Sequence, residues 1–139
     1  MQGQVMTEAE AIERYGLPAA ISDLPAIRAL LIQETERCRA NRGDEPLLRL
    51  YCLMLFSRGD VNDALPIWRA KMSNFDAGFG IDIQFVCGAG YDQTKPFLAT
   101  STLPDANEAL DYLENCRADF QGWTPLGHLA YWKGYYGLL

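Results

Sequence analysis

Cys87 and His128 are the side chains best suited to nucleophilic chemistry in this chain. A thiolate attacks an electrophilic centre when a base within hydrogen-bond reach takes its proton. Cys87 opens the turn C-G-A-G, and His128 is the only histidine, so it is the only base of the usual kind near neutral pH. A plainer reading stands beside this one. Free cysteine is among the most buried residue types. Gly88 and Gly90 would then end a helix or let two helices approach. The G-A-G is not a phosphate cradle, because it lacks the spacing of either glycine-rich phosphate motif and no βαβ unit surrounds it.

Carboxylates offer a second chemistry. Asp76, Asp82 and Asp92 would bind a metal or share a proton if they converged in a cleft. Asp76 and Asp92 are each placed to cap a helix instead. Asp82, between Ile81 and Ile83, has no such local task. A buried carboxylate must find a partner, so Asp82 either pairs with Lys71 or meets another molecule. Lys71, Asp82 and Gln84, beside Trp68, thus either lock two helices together or present a contact surface. One histidine and no C-x-x-C argue against a zinc site, and no cofactor is expected. Near the C-terminus, Trp123, Tyr131, Trp132, Tyr135 and Tyr136 form either an interface patch or a cover over the open end of the core.

The elements that must position these residues read as helices. Thr7 and Glu10 form a capping box, and Gly16 closes that first helix. Ser22 or Asp23 starts a second, whose apolar face is Leu24, Ile27, Leu31, Thr35 and Cys38, and Gly43 ends it. Asp44 caps a third. Leu47 to Phe56 make it apolar around almost its whole circumference, so it should be the central helix. Gly59 stops it. A fourth helix starts at Asp60 or Asn62 and runs through Trp68 to about Asn74. Pro66 falls in its first turn or kinks it. Ile81, Ile83 and Phe85 alternate like a strand, whereas Phe79, Ile83, Val86 and Cys87 fit a helical face. With no second strand to pair with, a helix ending at Gly88 or Gly90 is expected. A short helix follows from Asp92 to Thr100. Asp105 and Glu108 open another. Thr124 caps the last, with Pro125 at its first position. The fold class is therefore all-α. Seven or eight helices pack as antiparallel hairpins, in a compact bundle or a short α-solenoid, and residues 1–139 form one domain.

Composition narrows the job. The 139 residues are 49% hydrophobic and 22% charged, as in ordinary globular domains. The net charge is −6, and the excess lies mainly in residues 71–139, with eight acids and four bases. Nucleic-acid binding needs a basic stripe, which is missing; Arg37, Arg39 and Arg42 decorate a helix end. An acidic surface suits solubility or a basic protein partner. The four cysteines are widely spaced and fit reduced, buried thiols in a cytoplasmic protein. The stretch M-Q-G-Q-V-M-T-E-A-E does not read as a leader, and no run is long and apolar enough for a membrane span.

One stretch carries a resemblance. Ile67, Trp68, Ala70, Lys71, Phe75 and Asp76, then Ile81 to Gln84, then Gly88 to Gly90 and Thr94 resemble the pattern of a family of small, mostly uncharacterised bacterial helical proteins. In general look these are similar to the immunity proteins that neutralise secreted toxins between competing bacteria. Gly59 to Leu65 resembles the hairpin turn of tetratricopeptide repeats, without the rest of that repeat. The resemblance implies a protein that blocks a cognate toxin by direct contact, and not an enzyme. The residues proposed to meet the partner are Trp68, Lys71, Asp82, Gln84, Trp123, Tyr131, Trp132 and Tyr135. A helical adaptor or self-associating protein is the alternative, and a small enzyme built on Cys87 and His128 is a further one.

Overall fold

A computed structural model describes residues 6–138, which contain eight α-helices, four 3-10 turns and no strand. Residues 1–5, on which part of the reading against a leader rests, lie outside the described residues. The all-α class is as expected. The helices are α1 Glu8–Tyr15, α2 Leu24–Arg39, α3 Glu45–Phe56, α4 Ala64–Lys71, α5 Phe75–Gly80, α6 Tyr91–Thr100, α7 Ala106–Asn115 and α8 Pro125–Tyr135. The 3-10 turns are Ile21–Asp23, Val61–Asp63, Ile83–Cys87 and Arg117–Phe120.

Helix α3 is the centre. Nine of its residues, Leu47, Leu48, Leu50 and Tyr51 to Phe56, are buried. Each large apolar side chain so buried contributes about 1.5–3 kcal/mol relative to exposure. Helices α1, α2, α4 and α5 and the turn Ile83–Cys87 all pack against α3, while α6 pairs with α7.

Several helix ends are as the sequence implies. Thr7 and Glu10 exchange both capping-box hydrogen bonds, at 3.1 and 2.8 Å. Gly16 takes φ +72° at the end of α1, and Gly59 takes φ +67° after α3. Asp44 Oδ1 accepts the Leu47 amide at 3.1 Å, and Thr124 Oγ1 accepts the Gly127 amide at 3.1 Å.

Other ends differ. Asp23 and Asp105 occupy N-cap positions but make no capping bond, because each has helical dihedrals. A capping side chain reaches the free amides only from an extended backbone. Asp105 binds Arg69 instead, at 2.6 and 3.0 Å. After α2 the left-handed residue is Asn41, at φ +58°, not Gly43. Gly43 is required for another reason: a Cβ there would overlap Cys38.

The fourth helix ends three residues before the expected Asn74, and the helix expected after it, up to Gly88 or Gly90, is in two pieces. Helix α4 stops at Lys71, and Asn74 caps α5 by accepting the Ala77 amide at 2.8 Å. Asp76 therefore lies in the first turn of α5 and is not its cap. Ile83–Cys87 is a 3-10 turn and not an α-helix, because Ile81 and Asp82 are extended and break the path from α5. Gly90, at φ +107°, replaces Asp92 as the residue entering α6.

Candidate functional site

Lys71 ends α4 with a buried ammonium. Its Nζ donates to the carbonyl oxygens of Gly78 and Ile81, both at 2.6 Å. These are carbonyls that the short α5 leaves free at its C-terminal end. Burial pulls the Lys71 ammonium below the ordinary lysine range, and the negative charge of Asp82 only partly opposes this. The ammonium also lies 5.7 Å from the centre of the Tyr112 ring, against which Trp68 packs edge-on at 5.2 Å. Lys71 makes no direct ion pair with Asp82, contrary to one of the readings above. Trp68 and Lys71 are buried. They lock α4, α5 and α7 together and present no contact surface. Gln84 is half-buried in the turn Ile83–Cys87.

Asp82 has other partners. Its Oδ2 accepts the indole N–H of Trp132 at 3.3 Å and faces His128 Nε2 at 3.0 Å. On the other side of the imidazole, Nδ1 accepts the indole N–H of Trp123 at 2.8 Å. That donor assigns the Nε2–H tautomer, so His128 donates to Asp82. Burial by itself would raise the Asp82 carboxyl. The hydrogen bond and proximity of His128, then the Trp132 bond and the Lys71 charge, outweigh it and hold the carboxyl below its usual range. Phe85 packs edge-on against both rings, at 5.4 Å from His128 and 5.8 Å from Trp132.

This chain of four groups fastens α8 to the body, and it reorders the chemistry considered at the outset. Both ring nitrogens of His128 are engaged, by Trp123 and Asp82. Cys87 is fully buried, and burial pushes its thiol up to about 12 despite a Thr94 contact. Cys87 and His128 therefore do not form a nucleophile–base pair. Gly88 is needed because a Cβ would lie 2.8 Å from the Phe56 carbonyl oxygen. This is the close approach that the plainer reading of the G-A-G expects. Asp76, Asp82 and Asp92 do not converge: among the described residues no group of three carboxylate, thiol or imidazole side chains is placed to hold a metal ion. A groove of about 350 Å³ between α6 and α7, lined by Asp92, Lys95, Pro96, Ala99, Leu110 and Glu114, is spanned by the Lys95–Glu114 ion pair at 3.8 Å.

The aromatic cluster divides into two roles. Trp132 is buried beneath the Arg49 guanidinium, which sits 4.8 Å from its ring and 5.5 Å from the Tyr135 ring. Trp123 is half-buried, and Tyr136 donates its hydroxyl to Glu8 at 2.6 Å. Tyr131 and Tyr135 are 67% and 59% exposed, and Leu126 is 80% exposed. Helix α8 is apolar apart from His128 and Lys133, yet Trp132 is its only buried residue. A helix of that kind is ordinarily enclosed.

Sequence reading missed Phe75 and Phe79. Both are 78% exposed, with ring centroids 4.9 Å apart. The spacing F-x-x-x-F marks one helical face, but nothing local says that the face points outward. It also missed Arg49, whose role depends on Trp132 and Tyr135, far along the chain in α8. Comparison with known proteins finds no matching family model, curated protein or solved structure.

Proposed function

We propose that this chain is a protein-binding module of the immunity type, which neutralises a cognate bacterial toxin by direct contact. The observation that carries the reading is on α8, where Tyr131 and Tyr135, one turn apart, remain in water, as does Leu126 near the start of the helix. Contiguous exposed apolar surface marks interaction sites, and tyrosine is a favoured hot-spot residue. The helix lies in the acidic half of the chain, where residues 71–139 carry eight acids and four bases. That charge speeds encounter with a basic partner and fixes its register. The enzyme alternative has less support, because Cys87 lacks a base and His128 has no free nitrogen.

Co-expression with the product of an adjacent toxin-like gene tests the proposal. The expected result is restored growth of the host and a complex that co-purifies. Neither rescue nor complex, from a folded protein, overturns it. Tyr131→Ala with Tyr135→Ala should weaken that complex at least about tenfold, as loss of hot-spot side chains does.

A further inference from the structure

Helix α5 exposes more aromatic surface than its size warrants. It has six residues, of which only Ala77 is buried. Phe75 and Phe79, one turn apart, touch each other and little else shields them. Gly80 lies directly on the Glu45 side chain, so closely that a Cβ would overlap the carboxylate. Glu45 pairs with Arg49 one turn along α3, at 4.0 Å. Arg49 in turn lies over Tyr135. A chain of contacts thus runs from Gly80 through the Glu45–Arg49 pair to Tyr135.

The charge at this junction is unbalanced. Burial raises the Glu45 carboxyl above the ordinary range; Arg49 opposes this, and Asp76, Asp44 and Glu8 add to it. Glu8 and Glu45 both face the one Arg49 guanidinium, at 3.7 and 4.0 Å. Glu45 Oε2 is shielded from solvent and accepts no hydrogen bond.

The geometry points to the exposed pair Phe75 and Phe79, with Asp76 on the same helix and Glu45 beside its end, as the docking face for a cationic amphipathic segment of another protein. The inference rests on the protein-binding reading above and adds the chemistry of the partner. Its apolar side chains cover the phenylalanines. Its guanidinium or ammonium group lies against the carboxylates and the aromatic faces, where desolvation strengthens cation–π attraction. Arginine suits the site best, because its flat fork pairs with carboxylates and stacks on rings. A second copy of this chain is the wrong occupant. A two-fold contact sets the same patch against itself, which here opposes carboxylates to carboxylates. Phosphate surfaces, in nucleic acid or membrane, carry the same sign and are repelled.

A fluorescein-labelled helical peptide of leucine and arginine serves as probe, with a matched peptide carrying glutamate for arginine. Fluorescence anisotropy should show salt-sensitive binding of the first and none of the second. Phe75→Ala with Phe79→Ala should weaken binding at least about tenfold. Its thermal midpoint should stay near wild type, since both rings are exposed. Asp76→Asn should weaken binding several-fold, whereas Asp119→Asn, the same charge change on the turn Arg117–Phe120, should not. Equal losses from the two aspartate variants overturn the proposal, as does full binding by the phenylalanine variant. Light scattering that finds a dimer abolished by the phenylalanine changes also overturns it. Full rescue of a toxin by the Phe75, Phe79 variant sinks this docking face alone. Failure of rescue with peptide binding intact sinks only the toxin assignment.

Discussion

Asp82 is the residue on which the attachment of α8 turns. It accepts from His128 and Trp132, which lie 46 and 50 positions further along the chain. Asp82→Ala leaves a buried indole N–H and an imidazole N–H without an acceptor, at a cost of about 2 kcal/mol. A lower urea midpoint at pH 7 should show it. The sign of the pH effect follows from the lowered carboxyl. A depressed carboxylate contributes stability above its unfolded value, and that stability disappears as pH falls through the folded value. The gap between wild type and Asp82→Ala should therefore be full at pH 7 and shrink below about pH 4. A constant gap from neutral to acid would refute the assignment. Lys71→Met leaves the Gly78 and Ile81 carbonyls unpaired, and charge-assisted bonds of this kind are worth about 1.5–3 kcal/mol each. Part of that loss is offset because the buried ammonium is no longer desolvated. A net fall of about 2 kcal/mol in a denaturant titration is expected. Both residues were visible in the sequence as polar groups in apolar company. Their partners were not, because a carboxylate between two isoleucines says that a partner exists and not where it lies.

At the scale of elements, local chemistry was legible and boundaries set by tertiary contacts were not. Thr7, Asp44 and Thr124 cap their helices because an extended backbone delivers their oxygen atoms to amides two or three residues on. Asp23 and Asp105 look the same in sequence, but each follows a turn that already leaves it helical. The break between α5 and the turn Ile83–Cys87 goes with Lys71 satisfying carbonyls seven and ten residues ahead, which no periodicity records. The glycine of the turn after Cys87 yields a sharp expectation. Gly88→Ala places a Cβ 2.8 Å from the Phe56 carbonyl oxygen, in the backbone of the central helix. Backbone cannot rotate away as a side chain can, so overpacking should cost about 1–3 kcal/mol. Thermal unfolding followed by circular dichroism would measure it. An unchanged midpoint would show that the two segments are not so closely joined.

For the molecule as a whole, the fold class followed from periodicity, because a helix apolar all round has to be enclosed by the others. The interaction surface did not follow. Exposure of Phe75 and Phe79 is a property of what surrounds α5, and the same two residues in the same spacing would serve equally as core. The closure of the core can be tested through its thiols. Cys38, Cys52 and Cys87 are buried and Cys116 is partly exposed. Burial also raises the Cys38 thiol to about 11, with Glu34, Asp44 and Glu45 adding to it. Reaction needs an accessible thiolate. Iodoacetamide at neutral pH should label Cys116 first, and the other three only as fast as the protein opens, as read by mass spectrometry of timed samples. Early labelling of Cys87 would contradict the packing of the turn Ile83–Cys87.

The fastening of α8 has an optical consequence. Of the three tryptophans, Trp68 lies in the main core, while Trp123 and Trp132 both donate their indole N–H groups within that fastening. Trp132 also lies under a guanidinium. With Trp68 replaced by phenylalanine, the remaining tryptophan emission comes from the α8 seat alone. The molecule then carries its own gauge of whether its last helix is seated, separate from whether its core is intact. A partner that grips α8 would shift the colour of that light.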